Sequence, residues 1–314
     1  MQSWFARLVR SHALVTGVVG LGLALAPACR PEDRKTQITV SIVSETDIPK
    51  ELDSLEVVVI DADGSETSRV LHDVQNPRFF PATLAVVPRS STSLEGAVTV
   101  ELRGYLNGQD AQVFRRAKVS YVEGRTLLLP MPLRMACFNF RGCGADETCA
   151  GGTCQSAKVD APALADYDDR LVFGRSAPEA CFDEDTCLAD SVRTTVRESD
   201  CSFALPAEAI REGERVRANV SIRWKAADNR VIVLDSEDAI EGWTYDPSSK
   251  RGKLSAGVCA SLLDQETDPK KRRIYDQALD VWISTRCAAK VGLQPYCTSK
   301  DGHVAIGATL TKKP

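Results

Sequence analysis

Apolar and polar residues alternate with a period of two along several stretches between residues 37 and 135. In Ala97–Tyr105 the side chains of Val98, Val100 and Leu102 share one face, and those of Thr99, Glu101 and Arg103 share the other. That is the imprint of a strand with one face on a core and one in water. Thr39–Val43 alternates in the same way. Leu55–Ile60 is a β-branched run that ends at the turn sequence Asp61-Ala62-Asp63-Gly64. Leu84–Val87 follows, then Asn107-Gly108 turns the chain into Val113–Val122, and Leu127–Leu133 closes the series. Pro81, Pro88 and Pro130 lie near strand ends, where a missing N–H costs least.

About seven short strands in roughly 100 residues, with no amphipathic helix among them, predict an immunoglobulin-like or fibronectin-like sandwich over residues 37–135. A second β-rich domain is expected over 170–314. Its strands are Arg217–Lys225, alternating around Val220, Ile222 and Trp224, then Val231–Leu234, Val281–Ser284 and His303–Leu310. Short helices are expected at Gly257–Leu263 and Ala207–Gly213. Between the two domains lie a cysteine-rich module, 136–155, and a linker, 156–169. The fold class is therefore mainly β.

Length supports this division, since 314 residues suit about two domains. The hydrophobic share of 43% and the charged share of 26% are those of a chain that can build a core. A net charge of −4 argues against nucleic acid as a partner, which requires a clustered basic face. The first 28 residues read as a signal peptide. Arg7 and Arg10 precede an apolar run from Ala13 to Leu25, too short to span a bilayer and interrupted by Thr16, Gly17, Gly20 and Gly22. The following Leu25-Ala26-Pro27-Ala28-Cys29 resembles a bacterial lipobox, in which the cysteine receives a lipid and becomes the mature N-terminus. Ala26-x-Ala28 also suits ordinary signal peptidase, which would release the chain. With a lipid on Cys29, residues 29–36 become a charged tether. The membrane is then one partner, and the expected location is the cell envelope, at the outer membrane.

Eleven cysteines accompany only three histidines. Setting Cys29 aside leaves an even number, as complete pairing in an oxidising compartment requires. Cys137, Cys143, Cys149 and Cys154 crowd into a stretch too short for a core, so that unit must be held covalently. Of the three possible connectivities, the interlaced one, Cys137–Cys149 with Cys143–Cys154, is expected. Cys201–Cys259 would tie the second domain, with Cys181–Cys187 and Cys287–Cys297 as local clips. Zinc would need reduced thiolates and lacks a C-x2-C knuckle here.

The sandwich, the segment Gly124-Arg125-Thr126-Leu127-Leu128-Leu129 and the run from Cys143 to Cys154 resemble predicted cell-surface lipoproteins of myxobacteria. A second resemblance rests on Cys201-Ser202-Phe203-Ala204-Leu205-Pro206, Val220-Ser221-Ile222-Arg223-Trp224, Gly242-Trp243-Thr244-Tyr245-Asp246 and Cys259. These are similar to the cysteine-rich tail that follows von Willebrand factor type A domains in such proteins. The resemblance implies an extracytoplasmic setting and no mechanism, because the Asp-x-Ser-x-Ser motif of the type A domain is missing.

No residue cluster reads as catalytic. His12 falls in the leader, and His72 and His303 sit in turn-like contexts away from any Gly-x-Ser-x-Gly elbow. Asp166, Asp168 and Asp169, or Asp183, Glu184 and Asp185, offer paired carboxylates for glycoside hydrolysis, although both runs read as solvated loops. Asp61 and Asp63 begin like a calcium loop but lack its later ligands, and a tight turn explains them equally. Trp224, Trp243 and Tyr245 could line a sugar platform or a core, and the sequon at Asn219 is read as incidental. The sequence thus predicts a non-catalytic envelope lipoprotein, binding or structural, with no cofactor and with a protein or glycan partner. The alternatives are a carboxylate hydrolase and a calcium-dependent adhesion module.

Overall fold

The computed structural model describes residues 35–46, 48–75, 80–89, 94–173, 181–210, 216–223, 231–263, 280–292, 294 and 296. The first half contains β1 (Gln37–Ile42), β2 (Ser54–Ile60), β3 (Glu66–Asp73), β4 (Ala82–Val86), β5 (Ala97–Tyr105), β6 (Val113–Ser120) and β7 (Thr126–Pro130). They form two sheets, ordered β4-β1-β7 and β3-β2-β5-β6. Ile38, Val40, Leu127 and Leu129 of the first sheet pack in one core with Leu55, Val57, Val98, Val100 and Leu102 of the second. The expected sandwich is present, with its own strand order. In an immunoglobulin constant domain strand one pairs with strand two. Here β1 lies antiparallel to β4 and parallel to β7, and β2 pairs with β3.

The outer face of the larger sheet is a ladder of charge. Arg69 bridges Glu66 (2.7 Å) and Glu56 (2.8 Å), Arg103 reaches Glu101 (2.5 Å), and Arg116 meets the other oxygen of Glu101 (2.7 Å). The edge strand β3 carries no apolar face and is exposed along most of its length. His72 is part of this strand, opposite Leu55, and not in a turn as expected.

Two elements stitch the rest together. The hairpin β8 (Glu147–Ala150) and β9 (Thr153–Ser156) forms the second part of the cysteine run and carries Cys149 and Cys154 opposite each other. The segment expected as a linker then runs along both sheets. Lys118 N–H donates to Ala157 O and Val159 N–H to Lys118 O, on the edge of β6. Leu128 N–H donates to Ala165 O and Tyr167 N–H to Thr126 O, on the edge of β7. This strap closes one side of the sandwich, held by Arg125 on Leu164 O (2.8 Å) and on Asp166 (2.7 Å).

The second half begins with the short helices α1 (Asp169–Phe173) and α2 (Glu184–Cys187). Its strands are β10 (Val192–Thr195), β11 (Ser202–Ala204), β12 (Asn219–Arg223), β13 (Val231–Leu234), β14 (Trp243–Asp246), β15 (Arg251–Leu254) and β16 (Asp280–Ser284). They form sheets ordered β10-β16-β12-β13 and β11-β15-β14, with helix α3 (Ala256–Leu262) after β15. Phe203, Val220, Trp243, Leu254 and Val258 belong to their shared core. The helix expected from Ala207 is one tight turn at Ala207–Ala209 among the described residues. His303–Leu310, Trp224 and the leader with Cys29 lie outside them.

Cys137–Cys149, Cys143–Cys154 and Cys201–Cys259 pair as expected. The two local clips are corrected, because Cys187 bonds Cys287 across 100 residues. The antiparallel pairing of β10 with β16 sets Val192 opposite Ile283, so the segment before β10, which carries Cys187, and the segment after β16, which carries Cys287, leave the sheet at the same end. Cys181 is also disulfide-bonded, to a partner outside the described residues.

Non-reducing peptide mapping should recover Cys187 linked to Cys287. The Cys187→Ala, Cys287→Ala double variant should lose up to about 4–5 kcal/mol by chain entropy, and opening Cys143–Cys154 about 3, both read from urea unfolding.

Candidate functional site

The carboxylates singled out in the sequence serve local structure. Asp61 accepts from Ala62 N–H (2.8 Å) and Asp63 from Ser65 N–H (2.8 Å), as acceptors of the β2–β3 turn. Asp166 is held by Arg125, and Asp168 by Arg170, whose hydrogen bonds bring the Asp168 carboxyl down to about 2. Asp183 caps α2 through Thr186 N–H (3.1 Å), Glu184 is buried beside it, and Asp169 and Asp185 are exposed. None of these side chains lines either of the concavities described below. Trp243 is core, with its ring 5.9 Å from that of Phe203, while Tyr245 is half-buried. Among the described residues, the group closest to a metal-ligand arrangement is Cys143, Glu147 and Cys154, and both cysteines are spent in a disulfide.

At the junction of the two halves lies a group of charges that sums to zero. Arg134 donates to Glu45 (2.6 Å) and to Asp235 (2.8 Å), and Lys290 pairs with the other oxygen of Asp235. Asp235 is 2% exposed and Lys290 4%. Backbone bonds fix both, Lys290 N–H to Asn219 Oδ1 (2.8 Å) and Trp243 N–H to Asp235 O (3.0 Å). Burial alone would raise the Asp235 carboxyl, but the Arg134 and Lys290 charges outweigh it and hold the group below the usual carboxylate range. Burial pushes the Lys290 ammonium down, and Asp235 restores only part of the shift. The adjoining cavity, walled by Leu128, Pro130, Val172 and Tyr296, encloses about 100 Å³. That is well under the roughly 300–1,000 Å³ of small-molecule sites. With every charge matched, this junction is built for cohesion.

The second concavity, about 580 Å³, falls within that range. Its floor is the outer face of the larger sheet, where Tyr105 ends β5 and Phe114 begins β6. Asn107 and Gly108, both at positive φ, make the turn between them. Its wall is Phe140, Arg141, Gly142 and Cys143 of the cysteine run. The wall is clamped to the floor by neighbouring arginines on opposite faces of β6. Arg116 donates to the carbonyls of Gly144 (2.8 Å), Ala145 (2.8 Å) and Glu147 (3.0 Å), and its guanidinium lies 4.8 Å from the Phe114 ring centre. Arg115 donates to Cys149 O (3.0 Å) and bridges Glu241 of the second half (2.5 Å). Burial, then the hydrogen bond to Glu56, raises the Tyr105 phenol, which therefore stays neutral.

Sequence reasoning passes over these residues, since their partners are up to 126 positions away. One local signal exists. Arg115 occupies an inward position of β6, between buried Val113 and Ala117, and so breaks the alternation. No protein-family model, curated protein or solved structure matches this chain.

Asp235→Asn leaves Lys290 buried without a countercharge and Arg134 with Glu45 alone, and should cost about 3–5 kcal/mol in urea unfolding at neutral pH. The contribution of Asp235 is fully present above the ordinary carboxylate pKa. It should be lost as pH falls through the lower folded value, with the wild-type and Asp235→Asn unfolding curves converging there.

Proposed function

We propose that this chain is an exported envelope protein, anchored at the outer membrane through a lipid on Cys29, with a binding or structural role and no catalytic one. The observation that carries the reading is the state of the sulfur. Every described cysteine, nine in all, is in a disulfide. Cytosolic chains rarely keep such bonds, whereas secreted and periplasmic ones do. The leader and the lipobox-like Leu25–Cys29 supply the route and the attachment atom. The role assigned to the candidate carboxylates supports the non-catalytic part, since most serve as turn, cap or ion-pair acceptors.

Cells expressing the protein and fed a radiolabelled fatty acid should label it, and Cys29→Ala should abolish the label. Label that persists in Cys29→Ala, or a wild-type chain released unlabelled into the medium, overturns the anchor.

A further inference from the structure

We infer that the cleft between the β5–β6 hairpin and the cysteine run binds a short neutral oligosaccharide. The inference rests on the binding role proposed above and gives it a ligand class.

Three aromatic rings, Tyr105, Phe114 and Phe140, are half-buried around one open depression. A pyranose ring presents flat C–H faces flanked by hydroxyls. It suits an aromatic face beside polar groups better than a purely apolar ligand does, because the depression is too open to shield an apolar body from water. The polar groups are at the rim. Gln109, Asp110 and Arg141 are exposed and planar, and each can meet two neighbouring hydroxyls at once. The Arg141–Asp110 pair (2.8 Å) is a surface pair, weakly held and free to exchange with hydroxyl partners.

Charge argues for a neutral ligand. Arg103 is matched by Glu101 (2.5 Å) and Glu56 (3.4 Å), and Arg141 by Asp110. No surplus of cation remains at the cleft to attract a polyanion. The cleft is also rigid before any ligand arrives. Its floor is a paired hairpin, and its wall is fixed by Cys137–Cys149, Cys143–Cys154 and the three carbonyl bonds of Arg116. Little order has to be acquired on binding, which suits a ligand whose individual contacts are weak.

The test uses the full chain, made in an oxidising compartment, biotinylated and tetramerised on streptavidin, against an array of immobilised neutral and acidic oligosaccharides. Binding to at least one neutral class is expected. Phe114→Ala should weaken it at least tenfold, and Phe114→Tyr should retain it. Gln109→Ala, at an exposed position, should weaken it several-fold with an unchanged melting temperature, so the test survives if Phe114→Ala fails to fold. No binding to any neutral glycan, binding confined to acidic ones, or binding indifferent to both alanine variants would each overturn the inference. Because the assay does not involve Cys29, it fails or succeeds independently of the lipid-labelling experiment.

Discussion

The architecture turns on how an 18-residue cysteine run is gripped from two sides. Arg116 holds three of its carbonyls on the outer face of β6, and Arg115 holds a fourth on the inner face while reaching Glu241. The two crossing disulfides keep that run from spreading. A stretch this short buries too little apolar surface to order itself, so its shape comes from sulfur and from the strand beneath it. What it gains in rigidity it passes on. Cys137 packs in the sandwich core, while its neighbours Met135, Ala136 and Phe138 pack in the other core. At its tip, Gly151 and Gly257 approach so closely that a Cβ on Gly257 would overlap the carbonyl of Gly151. The two halves therefore share this run as a common wedge, and the neutral group of charges around Arg134 and Asp235 seals the seam beside it.

The division of labour between the two concavities follows from solvent. At the junction, burial multiplies the strength of each charge contact and the penalty for leaving one unmatched, so the group is complete and little space remains. At the cleft the charges are partly wet and individually weak, and the aromatic rings keep surface in contact with water. The first environment resists change. The second leaves interactions available to a visitor.

Strands with an apolar face on a core were legible in the sequence. Ala97–Tyr105 and Val231–Leu234 occur with the bounds expected, since a core on one side, or burial throughout, writes itself into side-chain choice. β3 was not legible, because Glu66–Asp73 has no buried face to enforce alternation and is specified by its pairing with β2. The Cys187–Cys287 bond was hidden for a related reason. It depends on the β10–β16 pairing, which no local pattern carries. The wall-and-floor cleft was hidden too, since Phe140 and Phe114 meet only after the cysteine run folds back over β6. The strap along β6 and β7 reads as a linker because its hydrogen bonds come from the backbone, which composition does not record.

The parallel pairing of β1 with β7 gives the molecule a direction. Chain enters the described body at Lys35 and Thr36, where Thr36 Oγ1 accepts from Gly124 N–H and Lys35 O accepts from Thr126 Oγ1. That is the end of β6 marked by Ser120, while Phe114 stands at its beginning, about 20 Å away at the rise of an extended strand. The aromatic mouth therefore lies at the far end of β6 from the point where the chain enters the described body, so a ligand seated there leaves that entry uncovered.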